Sequence, residues 1–503
     1  MYNRKVMIFI EINNTKAKLT GNIPKAVYKE IDLQCSYIHQ GAKFISKYGK
    51  TGWDGVVRLF KYNAIPTGLV PRVLGIIKKS NTPYKIKDLR TKVNYGDQLE
   101  IDPNCFFKPR EYQTKAVERC IKRGSGVVKI ATGGGKTGTL SMLVGHYNIK
   151  TIIYVIGVEL LYQMKETIET LYPELEVGII GDGKCEVKKV NIATIWSAAA
   201  AFNKKIDMFD SDVTYDKNSN KDINKELVRK TINEAELFIL DECQYAAANT
   251  VQFLHRESKA ARHRFLFSAS PWRDSGDDIL IEAVGGPKIY DLPASTLIDA
   301  GFLVKPSINF VNVPPMKSVG TKYQEVYKNY IVENDVRNDL IKKSAMKLVA
   351  QGKKVLILVV RVNHGKKICE VLGDDLRVDY LDGKKSTKQR LQAIQDMKDG
   401  FTDVLVASKI FDQGVDIPEL DALILAGSGK STGRALQRIG RVIRKFPGKE
   451  KAIVVEFMDN CKYLKNHSDV RMEVYKTEPS FEIKELNKKA RKKFTKRKPI
   501  QWS

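Results

Sequence analysis

Cysteine is scarce in this chain of 503 residues, and its cysteines are not spaced for metal binding. The seven of them stand at positions 35, 105, 120, 185, 243, 369 and 461, without a C-x-x-C motif. Zinc ribbons and iron–sulfur clusters need closely spaced thiolates, so neither is expected. The odd number and wide spread favour reduced thiols in a cytosol-like compartment.

Long apolar runs are lacking as well. The run Val6–Ile12 is interrupted by Glu11 and is far shorter than the roughly 20 residues that span a bilayer. It is not followed by a signal-peptide cleavage pattern. None of the six histidines stands at metal-ligand spacing. We therefore expect a cytoplasmic protein without membrane contact and a monomer in its minimal form.

Acidic residues are deficient relative to basic ones, and the deficit is unevenly placed. The chain carries 85 Lys and Arg against 58 Asp and Glu, a net charge of +27. Residues 1–95 account for +13 and residues 484–503 for +8, which leaves only +6 for the 388 residues between them. Two basic ends around a nearly balanced centre are typical of a protein that binds a polyanion, and nucleic acid is favoured over an anionic membrane or plain solubility.

From Val127 onward the sequence repeats short β-branched apolar runs, Gly- or Ser-marked turns and helical stretches. This rhythm indicates parallel sheets whose strands are buried on both faces. Two successive α/β layers, at about 106–300 and 301–460, follow a basic N-terminal part (1–95), and 461–503 is expected to be a basic tail. Residues 96–104 are predicted as a linker and 203–234 as a surface insertion. The predicted strands are 127–130, 152–156, 190–195, 237–240, 264–267, 355–360, 378–381, 404–407, 422–425 and 452–457.

The strongest local motif is a glycine-rich loop between a predicted strand and a predicted helix. It comprises Thr132, Gly133, Gly134, Gly135, Lys136 and Thr137. Glycines let backbone N–H groups turn toward phosphates, and the helix N-terminus adds partial positive charge. Lys136 would then meet the β- and γ-phosphates of ATP, and the Thr137 hydroxyl would bind Mg²⁺. The first glycine of the general phosphate-loop pattern is replaced by Ile130.

Two acids end another buried strand, at Asp241 and Glu242. The carboxyl ends of parallel strands border the ligand crevice, so both acids are expected to face it. Asp241 can hold Mg²⁺ through water, and Glu242 can orient and deprotonate the water that attacks the γ-phosphate.

A third motif, Gln437 to Arg444, lies in the second α/β layer. Arg441 and Arg444, three residues apart, are expected to share one helical face. Their guanidinium groups could reach across a cleft and neutralise charge on the γ-phosphate during transfer. Gln437 is grouped with them as a catalytic candidate.

Together these motifs resemble superfamily 2 helicases and translocases. The resemblance implies an α/β protein with two tandem RecA-like parallel-sheet domains and a small basic α+β N-terminal domain. It also implies that Gln113, with Arg110, recognises adenine and that Gly414 and Asp416 contact the nucleotide. Ser268–Ser270 would couple ATP hydrolysis to movement. Thr194 and Ser408 would contact nucleic acid. The segment Asp241 to Gln244 departs from the Asp-Glu-Ala-Asp form of RNA helicases.

Residues 48–70 resemble the N-terminal DNA-binding domain of the phage UvsW recombination helicases, and Trp502-Ser503 is similar to that family's ending. Asp54-Gly55 is expected to form a hairpin turn between a basic arm and a strand. Trp53 fits either a core position or a nucleic-acid contact. The basic side chains expected to meet DNA are Lys43, Lys47, Lys50, Arg58 and Lys61.

The motifs and the resemblance together predict a DNA-dependent ATPase that moves along forked or branched DNA in recombination, repair and replication. ATP and Mg²⁺ are the expected cofactors. The alternatives are an RNA or R-loop remodelling helicase, which would also bind RNA–DNA hybrids, and a double-stranded DNA translocase without strand separation. A non-enzymatic DNA-binding protein is disfavoured because the Lys-Thr and Asp-Glu pairs are intact.

Overall fold

The computed structural model describes residues 7–42, 45, 52–203, 224–271, 276–316, 320–408, 417–427, 429 and 431–486. The chain divides into two compact units, Met1–Pro293 and Ala294–Ser503. Within the described ranges, no helix has both the length and the apolar character needed to cross a membrane.

The basic N-terminal segment folds as a small α+β domain. Its elements are β1 (Ile8–Ile12), β2 (Lys16–Gly21), α1 (Lys25–Gln34), β3 (Ser36–Ile38), β4 (Val56–Arg58), β5 (Ala64–Pro66), α2 (Val70–Lys79) and β6 (Tyr84–Asp88). Four strands form a sheet in the order β5-β2-β1-β6, in which only β1 and β6 run parallel. Alternate residues of β1, namely Ile8, Ile10 and Ile12, are buried in one core with the apolar sides of α1 and α2.

This domain packs directly on the α/β layer that follows it. The Arg72 guanidinium forms a bidentate ion pair with Glu282. A Cβ atom at Gly68 would lie 2.0 Å from the carbonyl oxygen of Glu282, so the two backbones touch. The Asn14 amide donates a hydrogen bond of 2.8 Å to the Lys259 carbonyl. The N-terminal domain is therefore part of the first unit.

The first α/β layer is an eight-stranded sheet with its helices. The elements are α3 (Glu111–Arg123), β7 (Ser125–Ile130), α4 (Lys136–Tyr147), β8 (Thr151–Val155), α5 (Val158–Leu171), β9 (Val177–Gly181), β10 (Lys184–Glu186), β11 (Val190–Thr194), α6 (Ile195–Ala201), α7 (Lys225–Glu234), β12 (Leu237–Asp241), α8 (Asn249–Glu257), β13 (His263–Ser268), α9 (Ile279–Gly285) and β14 (Lys288–Leu292). The order is β10-β9-β11-β8-β12-β13-β7-β14, and every pair except β10–β9 is parallel. Every residue of β8, β9, β11, β12 and β13 is buried, which confirms the continuous apolar pattern.

Two connections in this unit differ from expectation. The predicted linker lies along the sheet layer, because Leu99 N donates to Gly145 O at 3.0 Å and Asp102 N donates to Leu171 O at 2.9 Å. The prediction of a surface insertion is wrong for its second part, since helix α7 buries Val228 and Ile232. Residues 204–223 of that insertion lie outside the described ranges.

The second unit contains a seven-stranded, wholly parallel sheet. Its elements are α10 (Ala294–Asp299), β15 (Lys305–Val313), α11 (Tyr323–Tyr327), α12 (Asp335–Val349), β16 (Val355–Leu358), α13 (Val362–Leu372), β17 (Val378–Leu381), α14 (Thr387–Lys398), β18 (Val404–Ala407), β19 (Ala422–Leu425), α15 (Thr432–Val442), β20 (Lys451–Asp459), α16 (Leu464–Lys476) and β21 (Glu482–Leu486). The strand order is β17-β18-β16-β19-β20-β15-β21. The expected capping box is present, with Gln389 N donating to Ser386 Oγ and Ser386 N donating to Gln389 Oε1.

The predicted boundary at residue 460 is wrong. Helix α16 packs on β20, and β21 pairs with β15 as an edge strand. The Glu478 carboxylate accepts hydrogen bonds from Ala294 N and Ser295 N at the start of α10. Apolar residues are too sparse in β21 for the strand to be recognised from sequence. The second layer therefore extends to at least residue 486, and only 487–503 of the predicted tail lies outside the described residues.

Candidate nucleotide site

The glycine-rich loop joins the end of β7 to the start of α4, as predicted. Gly133 and Gly135 have φ angles of +85° and +73°, which side chains other than glycine rarely adopt. A Cβ atom at Gly135 would lie 2.6 Å from Nε2 of Gln113. Gly134 N donates to Ala131 O at 2.9 Å and closes the turn. The loop therefore ends at a helix N-terminus, where free backbone N–H groups favour an anion.

The predicted lysine and acids meet beside this loop. Lys136 Nζ lies 3.0 Å from Glu242 Oε1. Asp241 ends β12 and accepts the Glu242 backbone N–H at 3.0 Å. Glu242 has a φ of +60°, a strained conformation for a non-glycine residue that is found mainly where function requires it. The structure thus brings together three of the predicted catalytic residues.

Burial and charge set the protonation of this cluster. Burial alone would lower the pKa of Lys136, but Glu242 and Asp241 hold it above its ordinary value. Burial opposes ionisation of Glu242, yet Lys136 and two neutral donors hold its pKa below the ordinary value. Burial raises the pKa of Asp241 to about 6, with Lys136 opposing the shift. At neutral pH the cluster therefore contains a charged lysine and an ionised Glu242.

A hydrogen-bond network extends from Glu242 to the neighbouring strand. Gln244 Nε2 donates to Glu242 Oε2 at 3.0 Å. The Ser268 hydroxyl lies 2.8 Å from Gln244 Oε1 and 3.2 Å from Glu242 Oε2, and it accepts the Ser270 backbone N–H at 3.0 Å. Gln244 was not among the predicted site residues, and Ser268 was expected only to couple hydrolysis to movement, although both lie in motifs that the sequence displays. They orient the carboxylate and connect it to the end of β13.

Gln113 contacts the phosphate loop directly. Its Oε1 accepts the Arg110 backbone N–H at 2.9 Å, and its Nε2 donates to Gly135 O at 3.1 Å. The Arg110 side chain instead donates to the Tyr112 hydroxyl at 2.7 Å. One end of the Gln113 amide thus caps α3 and the other end holds the loop, and adenine recognition by Gln113 and Arg110 stays a prediction.

The arginine motif of the second unit is only partly helical. Gln437 and Arg441 lie half-buried on α15, which ends at Val442. Arg444 lies beyond the helix and forms a β-bridge with Leu303. The expectation that Arg441 and Arg444 share a helical face is therefore wrong, because the chain leaves the helix to join an extended segment. Arg438, between them, is buried and lies 3.5 Å from Gly427 O.

Residues 337–446 match the family described as helicase conserved C-terminal domain, and residues 106–273 match type III restriction enzyme, res subunit. These two stretches contain most strands of the two α/β sheets and the motifs described above. The chain is a superfamily 2 helicase. Membership of this family implies the use of ATP, and the two sheets are its tandem RecA-like lobes.

Named relatives agree with this assignment. The helicase is 24% identical over 379 residues to putative helicase 22 of a Sulfolobus islandicus filamentous virus, covering 70% of this chain and 65% of the relative. It is 26% identical to the ATP-dependent DNA helicase uvsW of Enterobacteria phage T4, covering 87% of this chain and 88% of uvsW. A fragment of a putative HsdR subunit of a type I restriction enzyme from Vibrio vulnificus shares the fold, with a TM-score of 0.53, 18% identity and coverage of 76% and 69%. The chain thus spans just under two thirds of the viral relative's length.

The metal ligands predicted for the helicase fit a magnesium ion. Asp241 is a buried carboxylate whose ionisation burial disfavours, so a cation beside it would compensate its charge. Thr137 follows Lys136 in the first turn of α4. Among the described residues, no group of three or more His, Cys, Asp or Glu could hold a metal. Mg²⁺ typically takes one or two protein ligands and completes its shell with phosphates and water.

Several predicted nucleic-acid contacts have other partners in the helicase. Thr194 is fully buried and its hydroxyl caps α6 by accepting Ser197 N, and a nucleic-acid contact at this residue stays a prediction. Ser408 is also buried, and its N–H donates to Leu381 O at 3.0 Å. Both contacts were predicted from sequence motifs alone, and a motif gives no information about burial.

The predicted arm of the N-terminal domain is described only in part. Arg58 pairs with Asp54 at 2.6 Å and with Asp32 at 3.1 Å. The half-buried Trp53 donates from its indole N–H to Val56 O at 3.0 Å. Lys61 is exposed beside a tight turn. Asp54-Gly55 precedes β4, but β4 pairs with the distant β3, so a two-residue hairpin is not formed. Outside the described residues lie Lys43, Lys47, Lys50, Gly414 and Asp416.

Proposed function

We propose that the protein is an ATP-dependent DNA helicase or translocase that acts on forked or branched DNA. The observation that carries the proposal is the Lys136–Glu242 ion pair beside a glycine-rich loop, with Asp241 at the end of the same strand. A phosphate-binding lysine and an ionised general base within one hydrogen bond are the groups that hydrolysis of a nucleoside triphosphate needs.

The proposed chemistry divides among these residues by their protonation. Lys136 keeps its positive charge and binds the β- and γ-phosphates. Glu242 keeps its negative charge, orients the attacking water and accepts its proton. Thr137 and Asp241 would hold Mg²⁺, which supplies charge neutralisation on the phosphates. Gln113 and Arg110 would contact the base, and Gly414 and Asp416 the nucleotide.

The second lobe is proposed to complete the site. Arg441 and Arg444 would neutralise charge that develops on the transferred phosphoryl group, with Gln437 beside them. An arginine supplied in this way is worth about 10³ to 10⁵ in rate, so hydrolysis should be slow unless nucleic acid favours the productive arrangement of the lobes.

The choice of DNA as substrate is supported by charge and by likeness. Residues 1–95 carry a net charge of +13, and the match to uvsW, an ATP-dependent DNA helicase, extends over 88% of that relative. Roles in recombination, repair and replication follow from the same likeness. The alternatives remain an RNA or R-loop remodeller and a double-stranded DNA translocase without strand separation.

One experiment separates these functions. The steady-state ATPase rate is measured with single-stranded DNA, duplex, replication fork, Holliday junction and RNA–DNA fork, each at equal nucleotide concentration. Strongest stimulation by the fork or junction supports the proposal. Strongest stimulation by the RNA–DNA fork supports the remodeller, and stimulation by duplex without strand separation supports the translocase. Lys136→Ala should abolish the rate on every substrate.

A further inference from the structure

The four-stranded sheet of the N-terminal domain has one covered face and one open face. Helices α1 and α2 cover the face that contains Ile8, Ile10 and Leu19. Strand register shows which residues stand on the other side, because side chains alternate and paired residues share a face. Those residues are Phe9, Glu11, Lys16, Lys18, Thr20, Ala64, Pro66, Lys85 and Lys87. We call this set the open sheet face.

The open sheet face is basic. Four of its side chains are lysines, and all four are exposed. Glu11 lies 3.3 Å from Lys87, so this pair is neutral. In the part of the chain that the structure describes, Lys16, Lys18 and Lys85 form no ion pair. The face therefore presents a net charge of +3 without internal compensation.

An aromatic ring stands among these lysines. Phe9 is 44% exposed, and its neighbours across the two adjoining strands are Thr20 and Lys85. Its ring lies against Gly21, where an added Cβ would come within 3.1 Å of the ring edge. The missing side chain at Gly21 leaves room for the ring. A large apolar group that is held in place and yet open to solvent is suited to binding a flat partner.

A second ring stands at the edge of the same sheet. Tyr62 is 95% exposed in the tight turn that leads into β5. Tyr62 and Asn63 have φ angles of +53° and +58°, and Leu19 N donates to Asn63 O at 2.7 Å, which fastens the turn to β2. Lys61 and Ala64 exchange backbone hydrogen bonds across this two-residue turn, which requires positive φ at both central residues and holds Tyr62 at the tip of the turn.

We propose that the open sheet face, together with Tyr62 at its edge, binds an unpaired strand of DNA, with bases stacked on Phe9 and Tyr62 and phosphates bound by Lys16, Lys18 and Lys85. Exposed rings among lysines on a flat sheet are suited to single strands, because a duplex hides the faces of its bases. This inference rests on the proposed function and adds to it a surface distinct from the arm at residues 43–61. At a fork, it would hold the strand that the motor has released or is about to pair.

The test measures binding of a labelled oligo-dT, without ATP, to the full chain and to four variants of it, the fourth being Phe9→Trp. The first is the triple variant Lys16→Gln, Lys18→Gln, Lys85→Gln. The matched control is Lys25→Gln, Lys29→Gln, Lys79→Gln, which removes the same charge from exposed positions of the covering helices. The third is Phe9→Ala. Fluorescence anisotropy gives the Kd across a range of salt concentrations.

We expect the first triple variant to reduce the slope of log K against log salt by about 2, because about 0.7 of a counterion is released per contacted phosphate on a single strand. The control should keep the slope. Phe9→Ala should weaken binding by about tenfold, since stacking on one ring contributes that order, and Phe9→Trp should restore it. Circular dichroism checks that each variant is folded.

Equal slopes in the two triple variants would overturn the proposal, as would an oligo-dT affinity that Phe9→Ala leaves unchanged. If the first triple variant lost affinity for duplex DNA only, the open sheet face would bind a double-stranded partner, and the proposal would be overturned as well. The ATPase rate with forked DNA is measured on the same samples. A wild-type enzyme that DNA does not stimulate contradicts the proposed function, whereas normal stimulation with an unchanged slope contradicts only this surface.

Discussion

Lys136 and Glu242 lie 3.0 Å apart, although 106 positions separate them in the chain. The lysine that would bind phosphate and the carboxylate that would activate water thus neutralise each other in a buried site. A phosphate bound by Lys136 would compete with Glu242 for this lysine, whose ammonium group has three donors. We therefore expect binding of the triphosphate to weaken the pair and to make the Glu242 carboxylate more available to water.

Replacing Glu242 by glutamine should separate binding from hydrolysis. We expect Glu242→Gln to lower kcat by about 10² to 10⁴, which is the range for loss of a general base. Affinity for ATP should stay equal or increase, because Lys136 no longer has an anionic partner. Stopped-flow binding of a fluorescent ATP analogue and a steady-state ATPase assay measure the two effects. Weaker binding together with normal turnover would exclude the proposed role of Glu242.

Substitution of Gly135 tests whether ATP binding needs the left-handed conformation of the phosphate loop. Gly135→Ala places a Cβ in the left-handed region and 2.6 Å from Gln113 Nε2, so it should greatly weaken ATP binding while the protein remains folded. Gly157→Ala is the matched control, because Gly157 has a φ of −148° and its Cβ would contact nothing within 4 Å. Isothermal titration calorimetry gives both affinities. Equal affinities in the two variants would contradict the steric argument.

Gly68 tests whether the N-terminal domain must pack on the first lobe. A Cβ at Gly68 would meet the Glu282 carbonyl oxygen at 2.0 Å, whereas at Gly75 it would meet nothing within 4 Å. We expect Gly68→Ala to increase hydrogen exchange in residues 7–88 and to reduce stimulation of the ATPase by forked DNA. Gly75→Ala lies within helix α2 and should stabilise the domain by up to about 1 kcal/mol. The same exchange pattern in both variants would show that the contact is dispensable.

Substitution of Arg441 tests whether the second lobe contributes to ATP hydrolysis. Arg441→Ala should lower kcat by about 10³ or more with little change in the affinity for ATP, because the interaction is expected in the transition state only. The control is Lys445→Ala, which removes one positive charge from an exposed side chain that donates to Gly301 O at 3.2 Å. Single-turnover kinetics separate chemistry from product release. Full activity in Arg441→Ala would remove this residue from the mechanism.

The buried His263 should make the folding stability of the first unit depend on pH. Its Nδ1 donates to Gly124 O at 2.9 Å, so Nε2 accepts from the Tyr95 hydroxyl at 2.8 Å and the ring is neutral. Burial, with the nearby Arg262 and Arg90, lowers its pKa to about 4. The unfolded chain therefore binds a proton more readily between about pH 6.5 and pH 4, and stability is lost as pH falls through this window.

The corresponding experiment compares the wild type with His263→Gln, which does not titrate. Between about pH 7 and pH 5, the wild type should lose about 2 kcal/mol more of unfolding free energy than the variant. Urea denaturation at the two pH values measures the difference, and other histidines cancel because both proteins contain them. The same loss in both proteins would contradict the assignment.

The amino-acid sequence alone determined the local chemistry and the class of fold. Strands β18 and β19 begin and end where the apolar runs do, because strands buried on both faces need unbroken apolar residues. The phosphate loop and the Asp-Glu pair could be recognised since each depends on neighbours in the chain. The net charge of the N-terminal domain likewise needs no coordinates.

Only the tertiary structure decided which distant groups meet. No local pattern reports that Lys136 pairs with Glu242, that Arg58 is bound by Asp54 and Asp32, or that Thr194 is fully buried. Strand β21 joins the second sheet by backbone hydrogen bonds to β15, which carry no residue signature. Helix α15 ends before Arg444 because that segment pairs with Leu303. Packing and long-range pairing depend on the whole chain, so the sequence predicts the residues of the site better than their partners.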